Sequence, residues 1–212
     1  PNKSGKASSH GSPLGEKEVD LVRKKLKWKY KPFEVPKEIL NEWRRIGEQG
    51  IKQEKKWNEV FDKKNKKIKD EFARIIGNKL PNDFSKSLAE LKKKIFDLKP
   101  EIASRQSSAN VIEEITNNLP ELIGGSADLS GSNNTKTKHS IILKPSNFNG
   151  NYIHYGVREH GMAGIMNGMA LHGGIIPFGG TFLIFLDYCK PSLRLSALMG
   201  LKVIYIFSHD SI

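Results

Sequence analysis

The chain has 212 residues, of which 37% are hydrophobic and 27% charged, the balance of a soluble folded domain or two and not of a disordered segment. No window offers about 18 consecutive apolar residues, so no membrane span is expected, and a single cysteine, Cys189, excludes an intrachain disulfide and a Cys-rich zinc cluster. The net charge of +12 lies wholly in residues 1–99, where 27 Lys and Arg face 15 Asp and Glu, whereas residues 100–212 carry 8 of each. The excess is densest in Lys52–Lys94, where Lys alternates with Glu and Asp over an apolar stripe, the pattern of solvated helix faces, so nucleic acid is not an expected partner. Pro1-Asn2-Lys3-Ser4-Gly5 has no basic-then-apolar secretory start. The first residue therefore reads as an internal cut, and a reducing, cytoplasmic compartment is expected.

Before Pro100 the chain reads as helical and strongly charged. Gly15–Lys27 follows a Pro-Leu-Gly turn, with Val19, Val22 and Leu26 at helical spacing. Trp28, Tyr30 and Phe33 among Pro32 and Pro36 mark an extended connector. A helix restarts at Pro36 and is expected to end near Gly47. Trp57, Phe61, Ile68, Phe72 and Ile75 mark one face of a single long helix ending near Gly77. Leu80–Asp83 is a turn, and Ser85–Leu98 a further helix with Leu88, Leu91 and Ile95 inward. Nothing in residues 16–99 has the arrangement of a chemical site.

After Pro100, Gly-rich turns separate short apolar runs in an alternating α/β pattern. Ser107–Asn118 is a helix, and Leu122–Asp128 a short strand running into a Gly/Ser-rich loop. Tyr152–Tyr155 is a strand, and Arg158–Leu171 a helix stopped by His172-Gly173-Gly174. Ile175–Phe178 is a strand, Thr181 is expected to cap a helix running to about Met199, and Lys202–Ser208 is a strand. Continuous apolar runs between helices predict a parallel sheet buried on both faces. Ligands of such sheets gather beyond the carboxyl ends of the strands. That rule puts Asp128, Gly156–Glu159, Gly179–Phe182 and His209-Asp210 on one rim.

Taken alone, each rim residue has two readings. Glu159, opening a helix after a strand and a Gly, is a favourable helix-terminal charge, or an acid in an apolar cleft. Phe182, Phe185 and Tyr188, every third residue of the expected helix, form a core stripe or a ligand box. His209-Asp210 is a capped turn or a polar pair facing a ligand.

Taken together, these residues are specific. Tyr155-Gly156-Val157-Arg158-Glu159-His160-Gly161-Met162 resembles the segment of transketolases that carries the cofactor-activating glutamate. Thr181-Phe182-Leu183-Ile184-Phe185-Leu186-Asp187-Tyr188 resembles their aromatic helix. Ala103-Ser104-Arg105-Gln106, Gly124-Gly125-Ser126-Ala127-Asp128-Leu129, His10-Gly11-Ser12-Pro13-Leu14-Gly15 and Ser208-His209-Asp210-Ser211-Ile212 resemble further segments of the same family. They occur in the family's order and span nearly the whole chain.

The resemblance implies an α/β fold: a partial, doubly wound parallel sheet preceded by a mostly helical linker region. Residues 1–99 would be the tail of a diphosphate-binding domain plus linker, and residues 100–212 the first part of a pyrimidine-binding domain. It implies thiamine diphosphate as cofactor, bound at the interface of a homodimer, with Mg²⁺ or Ca²⁺ held by ligands outside this chain. Glu159 matches the glutamate that shares a proton with the pyrimidine ring nitrogen and favours the imino tautomer. Phe182, Phe185 and Tyr188 match the aromatic pocket of the pyrimidine, and Asp128 an acidic residue beside the thiazolium. Arg105, Ser132 and His209 match residues that grip the phosphate end of a sugar substrate, where the fork of Arg suits phosphate. His10 matches a histidine near the cofactor and the substrate hydroxyls. The implied reaction moves a two-carbon ketol unit from a ketose phosphate to an aldose phosphate in the pentose phosphate pathway.

The family's metal and diphosphate motif, Gly-Asp-Gly followed by Asn, is absent and would lie before Pro1. The Gly-rich, acidic continuation after Ser211-Ile212 is absent too. This chain alone is therefore expected not to hold the cofactor tightly or to turn over, and its sheet to carry an unpaired edge. Gly131 and the Lys136–Lys138 insert depart from the family's loop. Two other readings stay open: a related thiamine enzyme such as the synthase of deoxyxylulose phosphate, and a non-catalytic product of a split gene. Arg105, Ser132 and His209-Asp210-Ser211 argue against the synthase.

Overall fold

Two units, Pro1–Lys64 and Asn65–Ile212, make up the computed structural model, which describes residues 1–210. Ser211 and Ile212, the end of one family-like segment, lie outside the described residues.

The first unit is helical. α1 spans Glu16–Lys25, with Glu16 and Glu18 in its first turn and Arg23, Lys24 and Lys25 in its last, the charge order that suits the helix dipole. Glu18 is buried and accepts from the Lys3 N–H at 2.9 Å and the Asn2 amide at 3.3 Å, which ties the leading segment to α1. α2 runs without a break from Lys37 to Asp62. The expected stop at Gly47 is therefore wrong. A helical Gly costs only about 1 kcal/mol against Ala, and Arg44, Arg45, Glu48 and Gln49 around it are sound helix formers. A fork from Arg45 to Glu42, at 2.6 and 2.9 Å, supports that turn.

The second unit opens with a correction. One long helix through Trp57 and Ile75 was expected, but the chain breaks after Asp62, and α3 starts afresh at Lys66–Ile76. The cause is local: the Asn65 side chain accepts the Ile68 N–H at 3.0 Å and caps a new N-terminus. α4 (Phe84–Leu98) and α5 (Ser104–Asn118) follow.

Four parallel strands form one sheet in the order β2-β1-β3-β4: β1 Leu122–Ser126, β2 Tyr152–His154, β3 Ile176–Phe182 and β4 Ile204–Ser208. α6 (Glu159–His172) leads from β2 to β3, and α7 (Leu186–Leu198) from β3 to β4. Each strand sends alternate side chains to opposite faces. Leu122, Tyr152 and Phe178 pack with Phe84 of α4 and Ile115 of α5 on one face. On the other, Met162, Ala163 and Met166 of α6 and Cys189 of α7 pack with Ile153, Tyr205 and Phe207. Both faces are covered, as the continuous apolar runs predict. Met162 and Met166 are fully buried, and each contributes about 1.5–3 kcal/mol through lost contact with water.

Thr181 is a second correction. It lies inside β3, fully buried, and caps no helix. A short 3-10 turn, Leu183–Phe185, separates β3 from α7. Ile-Pro-Phe-Gly-Gly-Thr-Phe continues as strand because its two glycines let α6 and the loop after β1 come close. A Cβ on Gly179 would lie 2.6 Å from Met166 Sδ.

Glu121, buried just before β1, takes both Arg74 nitrogens, at 2.7 and 2.9 Å, and so docks α3 against the sheet. The bonds to Glu71 and Glu121 hold the guanidinium still further above its ordinary pKa. Arg74→Met is expected to destabilise this unit by about 3 kcal/mol, because a buried carboxylate loses its partner. Glu71→Ala, on the exposed side, is expected to cost under about 1 kcal/mol. Urea denaturation compares the two.

Candidate functional site

β1 and β3 are neighbours in the sheet, yet the chain leaves β1 towards β2 and leaves β3 towards β4. Diverging connections open a crevice beyond the carboxyl ends of such a pair. A cleft of about 480 Å³ lies there, lined by Ala127, Asp128 and Leu129 after β1, Val157 and Glu159 after β2, and Phe185 and Tyr188 after β3.

Each wall follows from local sequence. After β1, Asp128 takes a left-handed backbone with φ of 61°, which short polar side chains tolerate best. After β2, Gly156 makes the turn at φ of 69°. Arg158 closes it by donating to the Tyr155 carbonyl at 3.0 Å. α6 then begins at Glu159, 9% exposed. Its carboxylate has the helix N-terminus behind it and no hydrogen-bonding side-chain or backbone partner among the described residues. Beneath the cleft, burial pushes the Cys189 thiol up, and the neighbouring Glu159 charge adds to it. Burial likewise pushes the Tyr155 phenol far up.

Phe182, Phe185 and Tyr188 do not share one helix. They sit on the last residue of β3, the 3-10 turn and the first turn of α7. They still form one aromatic row, with centroids 6.0 Å apart for Phe182–Phe185 and 5.9 Å for Phe185–Tyr188. Phe182 continues the row to His209 at 5.2 Å.

A second cluster lies at the end of that row. Arg105, at the start of α5, sets Nη1 3.0 Å from His209 Nε2 and 3.4 Å from the Ser132 carbonyl oxygen. A guanidinium has only donors, so the imidazole Nε2 is the acceptor in this contact. Ser132 takes part through its carbonyl. Asp210 Oδ1 accepts the Ile184 N–H at 2.9 Å and holds the 3-10 turn. Thus Asp210 serves a turn while its neighbour His209 faces a cationic donor. His10 belongs to the first unit, exposed at the end of a 3-10 turn, Ala7–Ser9.

Sequence reading placed Val157 on the rim only within the stretch Gly156–Glu159 and did not single out Leu129 as a cleft wall. It also missed the buried polar set behind them: Ser126, Asn133, Thr135, Tyr152 and Thr181, all fully buried. Among the described residues, no three His, Cys, Asp or Glu side chains converge on a possible metal position, and no helix is long and apolar enough to cross a membrane.

Two family models match the chain: "Transketolase, thiamine diphosphate binding domain" over residues 1–81 and "Transketolase, pyrimidine binding domain" over residues 100–212. A transketolase of Buchnera aphidicola from Acyrthosiphon pisum is 49% identical over 215 residues, covering 100% of this chain and 32% of the relative. Transketolase 2 of Escherichia coli is 45% identical over the same shares. The chain therefore spans about a third of the length of these relatives. Among solved structures, a transketolase of Pichia stipitis in complex with sedoheptulose-7-phosphate superposes with a TM-score of 0.80 at 34% identity, over 96% of this chain and 31% of that one. The transketolase of Leishmania mexicana gives 0.78 at 33% identity, over 97% and 30%.

The loop that leaves the cleft is strapped to α5. The Lys138 N–H donates to Glu113 Oε2 at 3.1 Å, and Lys138 Nζ and His139 Nε2 lie 3.0 and 3.2 Å from Oε1. Partial burial raises the Glu113 pKa, but the Lys138 contacts outweigh it and the net direction is down. A depressed folded pKa stabilises above the unfolded value and ceases to as pH falls through the folded one. Amide-exchange protection at Lys138 is therefore expected to vanish on acidification below the ordinary carboxylate range, and at neutral pH in Glu113→Gln.

Proposed function

Because the chain belongs to the transketolase family, we propose that it supplies the aminopyrimidine side of a thiamine-diphosphate site. The proposed activity of the protein is transfer of a two-carbon ketol unit from a ketose phosphate to an aldose phosphate. The observation that carries this is the cleft itself: the buried carboxylate of Glu159, with no hydrogen-bond partner among the described residues, beside aromatic walls at the switch point of a parallel sheet. A flat heteroaromatic ring with a basic nitrogen fits that donor set and shape.

Thiamine diphosphate, when bound, supplies the nucleophilic carbon and the electron sink for breaking and making a carbon–carbon bond next to a carbonyl. The chain's own residues do the rest. Glu159 holds a proton between its carboxyl and the pyrimidine ring nitrogen, which is acid–base work at one atom. Phe182, Phe185 and Tyr188 offer faces to the ring and keep water out. Asp128, exposed on the rim, would place negative charge beside the cationic thiazolium. Arg105 and His209, with Ser132 beside them, orient the sugar phosphate by its phosphate group. His10 is assigned to the substrate hydroxyls.

The finer assignments belong to the same proposal. They are a homodimer with the site at the subunit interface, Mg²⁺ or Ca²⁺ on ligands outside this chain, a cytoplasmic location, and a role in the pentose phosphate pathway. The domain boundary at residues 99–100 is likewise part of it.

Glu159→Gln keeps the shape and removes the shared proton. In the native protein it is expected to lower two-carbon transfer by about 10²–10⁴-fold. Arg105→Leu is expected to raise KM for a ketose phosphate more than it lowers kcat. Transfer at the native rate by Glu159→Gln would overturn the reading.

A further inference from the structure

Between the cleft and the Arg105–His209 pair lies a polar cluster that touches neither ring nor phosphate. Ser126, Asn133, Thr135, Tyr152 and Thr181 are fully buried, and such groups are costly to bury unless paired. Their bonds run in one consistent order. Tyr152 donates to Ser130 Oγ at 2.7 Å, so at 2.9 Å it accepts from the Thr135 hydroxyl. Thr135 in turn needs a donor, and Asn133 Nδ2 lies 3.1 Å away in the amide orientation that also donates to the Leu129 carbonyl at 2.7 Å. In that orientation Asn133 Oδ1 accepts the Thr181 N–H of β3 at 3.2 Å. The opposite orientation would set the amide nitrogen against that N–H, donor to donor.

The Asn133 side chain thus joins the end of β3 to the loop after β1. Leu129, one of its partners, is pinned at its other end by Ser126 Oγ, which accepts the Leu129 N–H at 3.0 Å. Leu129 and Asp128 line the cleft. Ser132, the residue before Asn133, gives its carbonyl to Arg105. The loop is clamped tightly: a Cβ on Gly180 would lie 2.5 Å from Thr135 Cγ2 and 3.0 Å from Asn133 Nδ2.

We propose that Asn133 is a positioning residue that sets the cofactor-facing rim, Asp128–Leu129, and the phosphate-facing carbonyl of Ser132 as one rigid piece. The proposal rests on the functional reading above and extends it to a residue with no ligand contact of its own. A residue that serves both subsites through one loop changes both affinities when it is lost. A residue that only fills the core changes stability alone.

The test uses the native protein with thiamine diphosphate and sedoheptulose-7-phosphate as probes. Asn133→Ala is expected to raise both the Kd of the cofactor and the KM of the ketose phosphate about tenfold, since small misplacements of positioned groups are costly. Arg105→Leu raises the KM alone, and Asp128→Asn the cofactor Kd alone. Should Asn133→Ala fail to fold, Thr135→Val carries the test: it keeps the shape, breaks the chain from Asn133 to Tyr152, and is expected to shift both constants in the same sense. Thr135→Ser restores the hydroxyl and is expected to restore both constants. The proposal is overturned if Asn133→Ala and Thr135→Val lower the melting temperature but leave Kd and KM at native values. It is also overturned if only one constant moves. If Arg105→Leu itself leaves KM unchanged, the phosphate reading has failed instead.

Discussion

The side-by-side pairing of β1 and β3 governs the rest of this unit. Gly124 and Gly125 pair with Phe178 and Gly179, and Ser126 with Gly180, so each of these three pairs has at least one strand without a side chain. A Cβ at Gly125 would run into the Ile153 carbonyl, and one at Gly124 into Phe178. The lack of side chains lets α6 lay Met162 and Met166 directly on the sheet, and lets the loop after β1 fold down over Gly180. Since the connections then part in opposite directions, the space above the two strand ends stays open. The fold makes the cleft by topology, and the side chains only decorate it.

Three kinds of local chemistry decorate that opening. Gly156 turns the chain so that a helix begins on Glu159, which places a carboxylate where a dipole supports it. The aromatic row from Tyr188 to Phe182 leads to His209, and so connects the cleft with the Arg105 cluster. Asn133 fixes the loop that borders both. In the Arg105–His209 contact the imidazole nitrogen accepts, which lets the two side chains rest near each other.

Much of this was legible in the sequence. β4 is nearly all apolar, the other strands open on short apolar runs, and Gly156, Gly173 and Gly174, all at positive φ, mark turns where a reader expects them. The family-like segments contain the cleft-lining Asp128, Leu129, Val157, Glu159, Phe185 and Tyr188, together with Arg105 and His209, whereas His10, also in one of them, belongs to the first unit. Other features were not legible, for definite reasons. Thr181 has the residue type of a helix cap, yet tertiary contacts above the glycines extend β3 through it. The aromatic spacing of three looked helical, but a strand end, a 3-10 turn and an α-helix produce the same row. Gly47 looked like a stop, although a Gly without a left-handed turn does not end a helix. Asn65 was a readable cap that the longer apolar stripe concealed. The Asn133 network was invisible, because Ser, Asn and Thr between Gly-rich turns read as solvated loop, and only the fold buries them.

The most direct measurement is a structure of the native protein with thiamine diphosphate bound. The account predicts the pyrimidine ring in the cleft among Phe182, Phe185 and Tyr188, with a ring nitrogen within about 3.2 Å of the Glu159 carboxyl, the reach of a hydrogen bond. A pyrimidine seated elsewhere, or a Glu159 carboxyl turned away from it onto a protein partner, would contradict it.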